Sequence, residues 1–307
     1  NNATVDMVGS YLSRTIARRN PAGANTLKQI AFYKGTEKGE ELIDYSREYG
    51  YIFENNNYVL ARKTTTTYSY DTAANKTDCL RQVTVYKDVT TNISGDINTK
   101  PTTVAGLVKK SVTHYLGDQK GEELINYSQN YNTAGSVSTT ATYYYLATGG
   151  FKRAASSGIA DMVAQINTYA RDYIGTGVDD LTNLRSKTFN YTVGRVKGEE
   201  VVDYVENYNS LGTSAATTST YYYASGTSRI RASAANTESL IAQINTYRLS
   251  YRGTSATDTA NLKSITYNHT TGRQKGDEIA DYVHNYASSG TITSTSTYYY
   301  ASGTKRN

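Results

Sequence analysis

Tryptophan is missing from this 307-residue chain, proline occurs twice, and Cys79 is the only cysteine. One cysteine excludes an internal disulfide framework and a thiolate metal cage, so Cys79 is expected to be a small half-buried residue. Histidine is scarce as well. His114, His269 and His284 lie where related segments carry Phe, Tyr, Asn or Glu, which reads as structural rather than ligating. There is no zinc spacing, no glycine-rich phosphate loop and no nucleophile elbow. No apolar run approaches the ~18–20 residues of a helical membrane span. Charge of one sign is lacking too: 32 Lys and Arg against 27 Asp and Glu leave a net +5, and the basic residues are scattered. That balance argues against a nucleic-acid partner. The chain is expected to be non-enzymatic, with no catalytic residue, no cofactor and no metal. It opens at Asn1 with no signal-peptide pattern, as expected of a processed product or a window cut from something longer.

What the chain has in abundance is tyrosine, 31 residues against 4 Phe, among many Thr and Ser. Disordered chains are poor in aromatic and β-branched residues. Tyr and Thr suit a pleated sheet, where a ring can be buried while its hydroxyl stays wet. An all-β fold follows.

Self-similarity then organises the chain. A Lys-Gly-acid-acid cluster recurs at Lys38-Gly39-Glu40-Glu41, Lys120-Gly121-Glu122-Glu123, Lys197-Gly198-Glu199-Glu200 and Lys275-Gly276-Asp277-Glu278. Each is followed by a tyrosine pair, Tyr45/Tyr49, Tyr127/Tyr131, Tyr204/Tyr208 and Tyr282/Tyr286, then by a glycine-bearing turn. A Thr- and Ser-rich run ends each unit in aromatics: Tyr143-Tyr144-Tyr145, Tyr221-Tyr222-Tyr223 and Tyr298-Tyr299-Tyr300, with Tyr68-Ser69-Tyr70 as the degenerate copy. The linking half repeats too, since Ala164-Gln165-Ile166-Asn167-Thr168-Tyr169 returns as Ala242-Gln243-Ile244-Asn245-Thr246-Tyr247, with Arg81 to Tyr86 a looser relative. Asp6-Met7-Val8 echoes Asp161-Met162-Val163.

In the last copy, strands are expected over 264–268, 279–286 and 292–300, with a fourth over 240–251. Leu240, Ile244, Tyr247 and Tyr251 also fit a helical stripe, but the β-branched Val83-Thr84-Val85 relative favours strand. Consecutive tyrosines must point to opposite faces, so both faces should be covered, by the next repeat or by a neighbouring chain. The expected architecture is a tandem array of four ~77-residue units of about four antiparallel strands each, extended or solenoid-like, with a four-bladed propeller as the alternative. Its boundaries are an N-terminal half-repeat (1–27), a divergent first repeat (28–108), a second (109–184), a third (185–262) and a C-terminal half-repeat (263–307).

Asn130-Tyr131-Asn132-Thr133-Ala134-Gly135 followed by the run from Val137 to Tyr145 resembles the YD (RHS-like) repeats of large bacterial surface proteins. It is similar also to tyrosine-rich tandem repeats of giant surface proteins. The resemblance covers nearly the whole chain, but the period is longer and the Asp after Tyr is often missing. It implies an extracellular or cell-surface location and an extended or shell-like β structure, in some members with carbohydrate contacts, and it does not imply catalysis.

The acidic pairs, such as Glu40/Glu41 with Asp44 and Glu199/Glu200 with Asp203, could offer oxygens to Ca²⁺. A lysine in every copy favours instead a charged turn that keeps a sheet edge soluble. Sequons at Asn2, Asn75, Asn92, Asn126, Asn190 and Asn268 leave glycan decoration open. The chain begins and ends in mid-unit, with the repeat phase nearly preserved from last residue to first. The expected function is therefore a structural subunit of an extracellular filament, joined head-to-tail to copies of itself through its terminal half-repeats. The residues expected to carry assembly and stacking are Met7, Tyr11, Tyr143, Tyr144, Tyr145, Tyr221, Tyr222, Tyr223, Tyr298, Tyr299 and Tyr300. The alternative is an adhesin or carbohydrate-binding module.

Overall fold

The computed structural model describes residues 11–19, 26–73, 76 and 78–300. Met7 and its neighbours Asp6 and Val8 lie outside the described residues. The fold is all-β: the described residues form strands, turns and one 3₁₀ turn at Ala154–Ser156. The chain divides into two compact units, 1–138 and 139–307.

The first unit contains β1 (Arg14–Arg19), β2 (Thr26–Lys34), β3 (Leu42–Glu54), β4 (Asn57–Tyr70), β5 (Leu80–Thr90), β6 (Val108–Leu116) and β7 (Leu124–Tyr131). Each pairs antiparallel with the next. Leu27, Ile30, Phe32 and Tyr49 form its apolar core, and Ile93 and Ile97 of the segment after β5 pack on it. An ionic knot holds that segment down: Asp96 receives Arg47 at 2.9 Å and Arg62 at 2.5 Å, and Tyr49 donates its hydroxyl to it at 2.8 Å. Arg62 also meets Asp88 at 3.0 Å. Every charge in the knot is answered, as burial requires. Cys79 is buried.

The second unit contains β8 (Val137–Ala147, beginning two residues earlier), β9 (Gly150–Lys152), β10 (Met162–Ala170), β11 (Leu184–Tyr191), β12 (Val201–Tyr208), β13 (Ala215–Ser225), β14 (Ser228–Ile230), β15 (Ile241–Arg248), β16 (Leu262–His269), β17 (Ile279–Tyr286) and β18 (Ile292–Thr297). The ladder runs β8–β10–β11–β12–β13–β15–β16–β17–β18, all antiparallel, with short β9 and β14 folded back on the ends of β8 and β13. The Gln-Ile-Asn-Thr-Tyr segments are strands, and the helical alternative does not hold.

Two kinds of loop cover the sheet faces of this unit. The strap 249–261 lies over one face. There Thr218 and Thr220 of β13 donate to the carbonyls of Leu249 and Arg252 at 2.8 and 2.7 Å. Beneath it runs a buried polar ladder along β15. Gln243 donates to Asn245 at 2.6 Å, Asn245 donates to the Tyr247 hydroxyl at 2.9 Å, and both amides reach the Ala256 carbonyl. The strap 171–183 repeats the arrangement with Gln165, Asn167, Tyr169 and the Val178 carbonyl. Gly253 is required here: it has φ +68°, and a Cβ would fall 2.1 Å from the Tyr247 hydroxyl. On the opposite face, Ala232 and Ala235 from the segment after β13 cluster with Tyr223 and Val201. This is why consecutive tyrosines can both be buried, Tyr222 at 1 % and Tyr223 at 4 % exposure. The expectation that the next repeat or a neighbouring chain supplies the cover is corrected: around these residues the cover comes from loops next to the strand itself.

Asp258 clips the strap shut. It accepts from the Tyr251 hydroxyl at 2.7 Å, from the Thr254 amide and hydroxyl at 2.8 and 3.0 Å, and from the Ala260 amide at 2.9 Å. Burial alone would raise its pKa, but these bonds prevail and hold the carboxyl at about 2. A carboxyl depressed from its ordinary ~3.9 contributes stability that is present above about pH 4 and lost as pH falls through 2. Protection of the 249–261 amides, measured relative to their intrinsic exchange rates, should therefore fall on acidification through that window while β15 stays protected. Asp258→Asn should abolish the pH step; an unchanged step would refute the assignment to this carboxyl.

Candidate functional site: the exposed edge strands

The Lys-Gly-acid-acid clusters turn out to be ties between strands. The second acid reaches the backbone N–H near the start of the strand two places earlier: Glu41 to Leu12 at 2.7 Å, Glu123 to Leu80 at 2.7 Å, Glu200 to Val163 at 3.0 Å and Glu278 to Ile241 at 3.0 Å. In three copies its other oxygen accepts the N–H of the cluster glycine, Gly39, Gly198 or Gly276, at 2.7–2.9 Å. The four glycines Gly39, Gly121, Gly198 and Gly276 all have φ between 85° and 89° with open space at the Cβ position, so conformation alone selects glycine. The reading of the cluster as a charged turn did not include this tie. The carboxylate that could have served Ca²⁺ is committed to backbone donors, which hold the Glu41 carboxyl below its ordinary range. Among the described residues, no group of three or more His, Cys, Asp or Glu is disposed to hold a metal ion. Glu278→Ala should leave the Ile241 amide without its partner and speed its hydrogen exchange about fivefold. Unchanged exchange there would refute the tie.

In three of the four copies the third tyrosine has a fixed duty at the same place. Tyr70, Tyr223 and Tyr300 donate to the carbonyls of Ile43, Val202 and Ala280 at 2.7, 2.6 and 2.8 Å. Pairs across the sheet stack rings: His114 on Tyr127, Phe189 on Tyr204 and Tyr267 on Tyr282, with centroids 4.4–4.5 Å apart. His114 thus occupies a ring position, and burial lowers its pKa. The sequon residues Asn190 and Asn268 use their side-chain nitrogens on the carbonyls of Val163 and Ile241 at 2.8 and 2.9 Å, leaving them poorly placed to carry glycans.

These ties define which strands are equivalent. Leu12, Leu80, Val163 and Ile241 hold the same position, so β1 corresponds to β5, β10 and β15. Likewise β18 corresponds to β4, β8 and β13, each of which leads into a triplet or its degenerate form. Internally the two classes pair: β4 with β5, β8 with β10 and β13 with β15. By contrast, among the described residues β1 and β18 have no such partner within their own units, and all six residues of each are exposed.

The tyrosines named from sequence therefore fall into two groups. Tyr144, Tyr145, Tyr222 and Tyr223 are buried, and Tyr143 and Tyr221 are half-buried beside them. Tyr298, Tyr299 and Tyr300 are 43, 77 and 40 % exposed, and Tyr11 is 49 % exposed. β18 (Ile-Thr-Ser-Thr-Ser-Thr) carries no charge and no proline to discourage pairing. β1 carries Arg14, Arg18 and Arg19, but Arg14 donates to the Ile97 carbonyl at 2.8 Å and Arg19 to the Tyr49 carbonyl at 3.0 Å, back into their own unit. Sequence reading did not single out these arginines, whose partners lie 83 and 30 residues away.

No protein-family model matches the chain, and no curated protein does. Among solved structures, the chain is similar to a porin-like protein from Bacteroides uniformis ATCC 8492, at 10 % identity and a TM-score of 0.29, covering 87 % of this chain and 94 % of that one. A superposition that loose carries no argument about function. No helix among the described residues is long and apolar enough to cross a membrane.

Proposed function

We propose that the protein is a structural subunit of an extracellular filament or surface fibre, in which β18 of one copy pairs with β1 of the next. The observation that carries the reading is the complementarity of the two exposed edges. One belongs to the class of strand that pairs with a triplet strand in every internal copy, and the other is itself a triplet strand. Backbone bonds across such a joint would form in series, as in strand-addition complexes. Because the two surfaces differ, the contact is heterologous and propagates unless the rotation closes a ring. Four tandem units in extended array would be the building block of such a fibre, consistent with the resemblance to YD-type surface repeats. In this arrangement β1 of the next copy would lie beside Tyr298, Tyr299 and Tyr300, as β15 lies beside Tyr221, Tyr222 and Tyr223. The internal triplets would serve the fold of the subunit. Negative-stain microscopy with light scattering of the full chain tests this: concentration-dependent fibres are expected, and a species that stays monomeric up to millimolar concentration would refute it.

A further inference from the structure

One departure of the first unit from the repeat is consistent in its chemistry. In the second unit, Leu184 and Leu262 open β11 and β16 fully buried, at 0 and 1 % exposure, opposite Tyr169 and Tyr247. The register of β5 and β6 places Lys109 opposite Tyr86, in that same position. The segment after β5 is tied down elsewhere, by Asp96 on Arg47 and Arg62, and Ile93 and Ile97 pack against the β2–β3 core. What remains is a groove of about 310 Å³. Lys63, Lys87, Lys109 and Lys110 line it from three adjacent strands, and the lining includes no carboxylate. Positions matching Lys63 and Lys87 in the second unit are Ala216 and Thr293, and Ala170 and Arg248, so Lys63 too is peculiar to this copy. β-bulges at Arg62/Thr64 and Val85/Tyr86 re-aim side chains at this end of the sheet. Val89 and Val108, 49 and 41 % exposed, leave an apolar surface in the groove, and the Tyr131 ring stands at its edge with the Lys109 ammonium 5.7 Å from its centroid.

Like charges that line one groove repel one another and are relieved by a shared counter-anion. Among the described residues, none of the four lysines is matched with a carboxylate, whereas Lys76, Lys100 and Lys120 of the same unit are. A ligand that satisfies all features must carry negative charge, present an apolar ring face to Tyr131 and the valines, and fit a space near the small end of the ~300–1,000 Å³ range of ligand pockets. We propose that this groove binds an acidic saccharide, one or two sugar rings bearing carboxylate or sulfate. The lysines hold the anionic groups and Tyr131 stacks on a ring face. A nucleic acid fits less well, because the charge is gathered in one pocket rather than laid out along a backbone track. The site is independent of β1 and β18 and goes beyond the filament reading.

Titration calorimetry of the full chain with oligogalacturonate, sulfated dextran, neutral dextran and inorganic polyphosphate decides it. Binding of the carboxylated or the sulfated saccharide, with neutral dextran bound at least about tenfold more weakly, is expected and identifies which acid is recognised. Lys87→Glu with Lys109→Glu should abolish that binding, Tyr131→Ala should weaken it about tenfold, and Lys263→Glu on β16 should leave it unchanged. Should the double variant misfold by circular dichroism, Lys63→Ala and Lys110→Ala singly should each weaken binding about threefold. Equal binding of neutral dextran, no saccharide binding, or polyphosphate binding as tight as the saccharides and indifferent to Tyr131→Ala would each overturn the proposal.

Discussion

Thr297→Pro is expected to abolish fibre formation while leaving the subunit folded. In β13 the Ala224 amide meets the Leu240 carbonyl, and the Ala216 carbonyl accepts from Leu249, so even-numbered residues of that strand face β15. Thr218 and Thr220 correspond to Thr295 and Thr297 by their distance from the third tyrosine. On β18 itself, Tyr298 donates to Asp281 on the β17 side, and alternation turns the Thr297 N–H to the open side. Proline there removes an outward donor and places its ring where an incoming strand would lie, without removing a bond to β17. The concentration needed for assembly should rise at least about a hundredfold. Thr295 is less suitable for the test, because its hydroxyl lies 2.8 Å from the His284 ring. Thr297→Pro copies keep an intact β1, so small amounts mixed into wild-type protein should cap growing ends and shorten fibres. Deleting residues 1–20, and β1 with them, should block assembly from the other side. Fibres that persist at wild-type concentration in either variant would defeat the edge-pairing reading.

Asn245→Leu is expected to be the most damaging near-isosteric change in the second unit. Asn245 is fully buried, accepts from Gln243, and donates to Tyr247 and to the Ala256 carbonyl. Leucine fills similar space but removes these bonds within a dry layer, leaving Gln243 and Tyr247 with one partner fewer each. Leaving such groups short of partners should cost about 2–4 kcal/mol, lowering the melting temperature of this unit by roughly 8 °C. Hydrogen exchange should show the strap 249–261 loosening before β15 does. Because Asn167 stands in the same bonds under the strap 171–183, Asn167→Leu should match it in size. A loss below about 0.5 kcal/mol at both sites would mean the straps are held by apolar packing alone.

Several elements could be read from the residues in advance. The strands expected over 264–268, 279–286 and 292–300 fall within or across β16, β17 and β18, since alternating Thr, Tyr and β-branched residues fit one conformation best. The strand expected over 240–251 stops at Arg248, because Leu249 adopts φ +57° and Tyr251 turns to hydrogen-bond Asp258 in the strap. The stacking of ring on ring across β16 and β17 was also foreseeable from the tyrosine spacing. Neither the straps nor the arginine knot could be found that way. Thr, Gly, Asp and Ser of 249–261 read as a plain loop, and only the hydrogen bonds to β13 and β15 give it a surface to lie on. Arg47, Arg62, Asp88 and Asp96 are up to 49 residues apart and carry no local pattern.

Composition and internal repetition alone determined that this chain makes antiparallel sheet, and that its Lys-Gly-acid-acid clusters must share one geometry, because glycine at positive φ and a following carboxylate are local requirements. Tertiary structure decided which tyrosines are enclosed and which are presented. An identical Tyr-Tyr-Tyr is buried where a neighbouring strand and strap lie against it, and exposed at β18 where the described residues of its own unit supply neither. Burial is a property of what stands opposite a residue, and no residue carries that in its own identity.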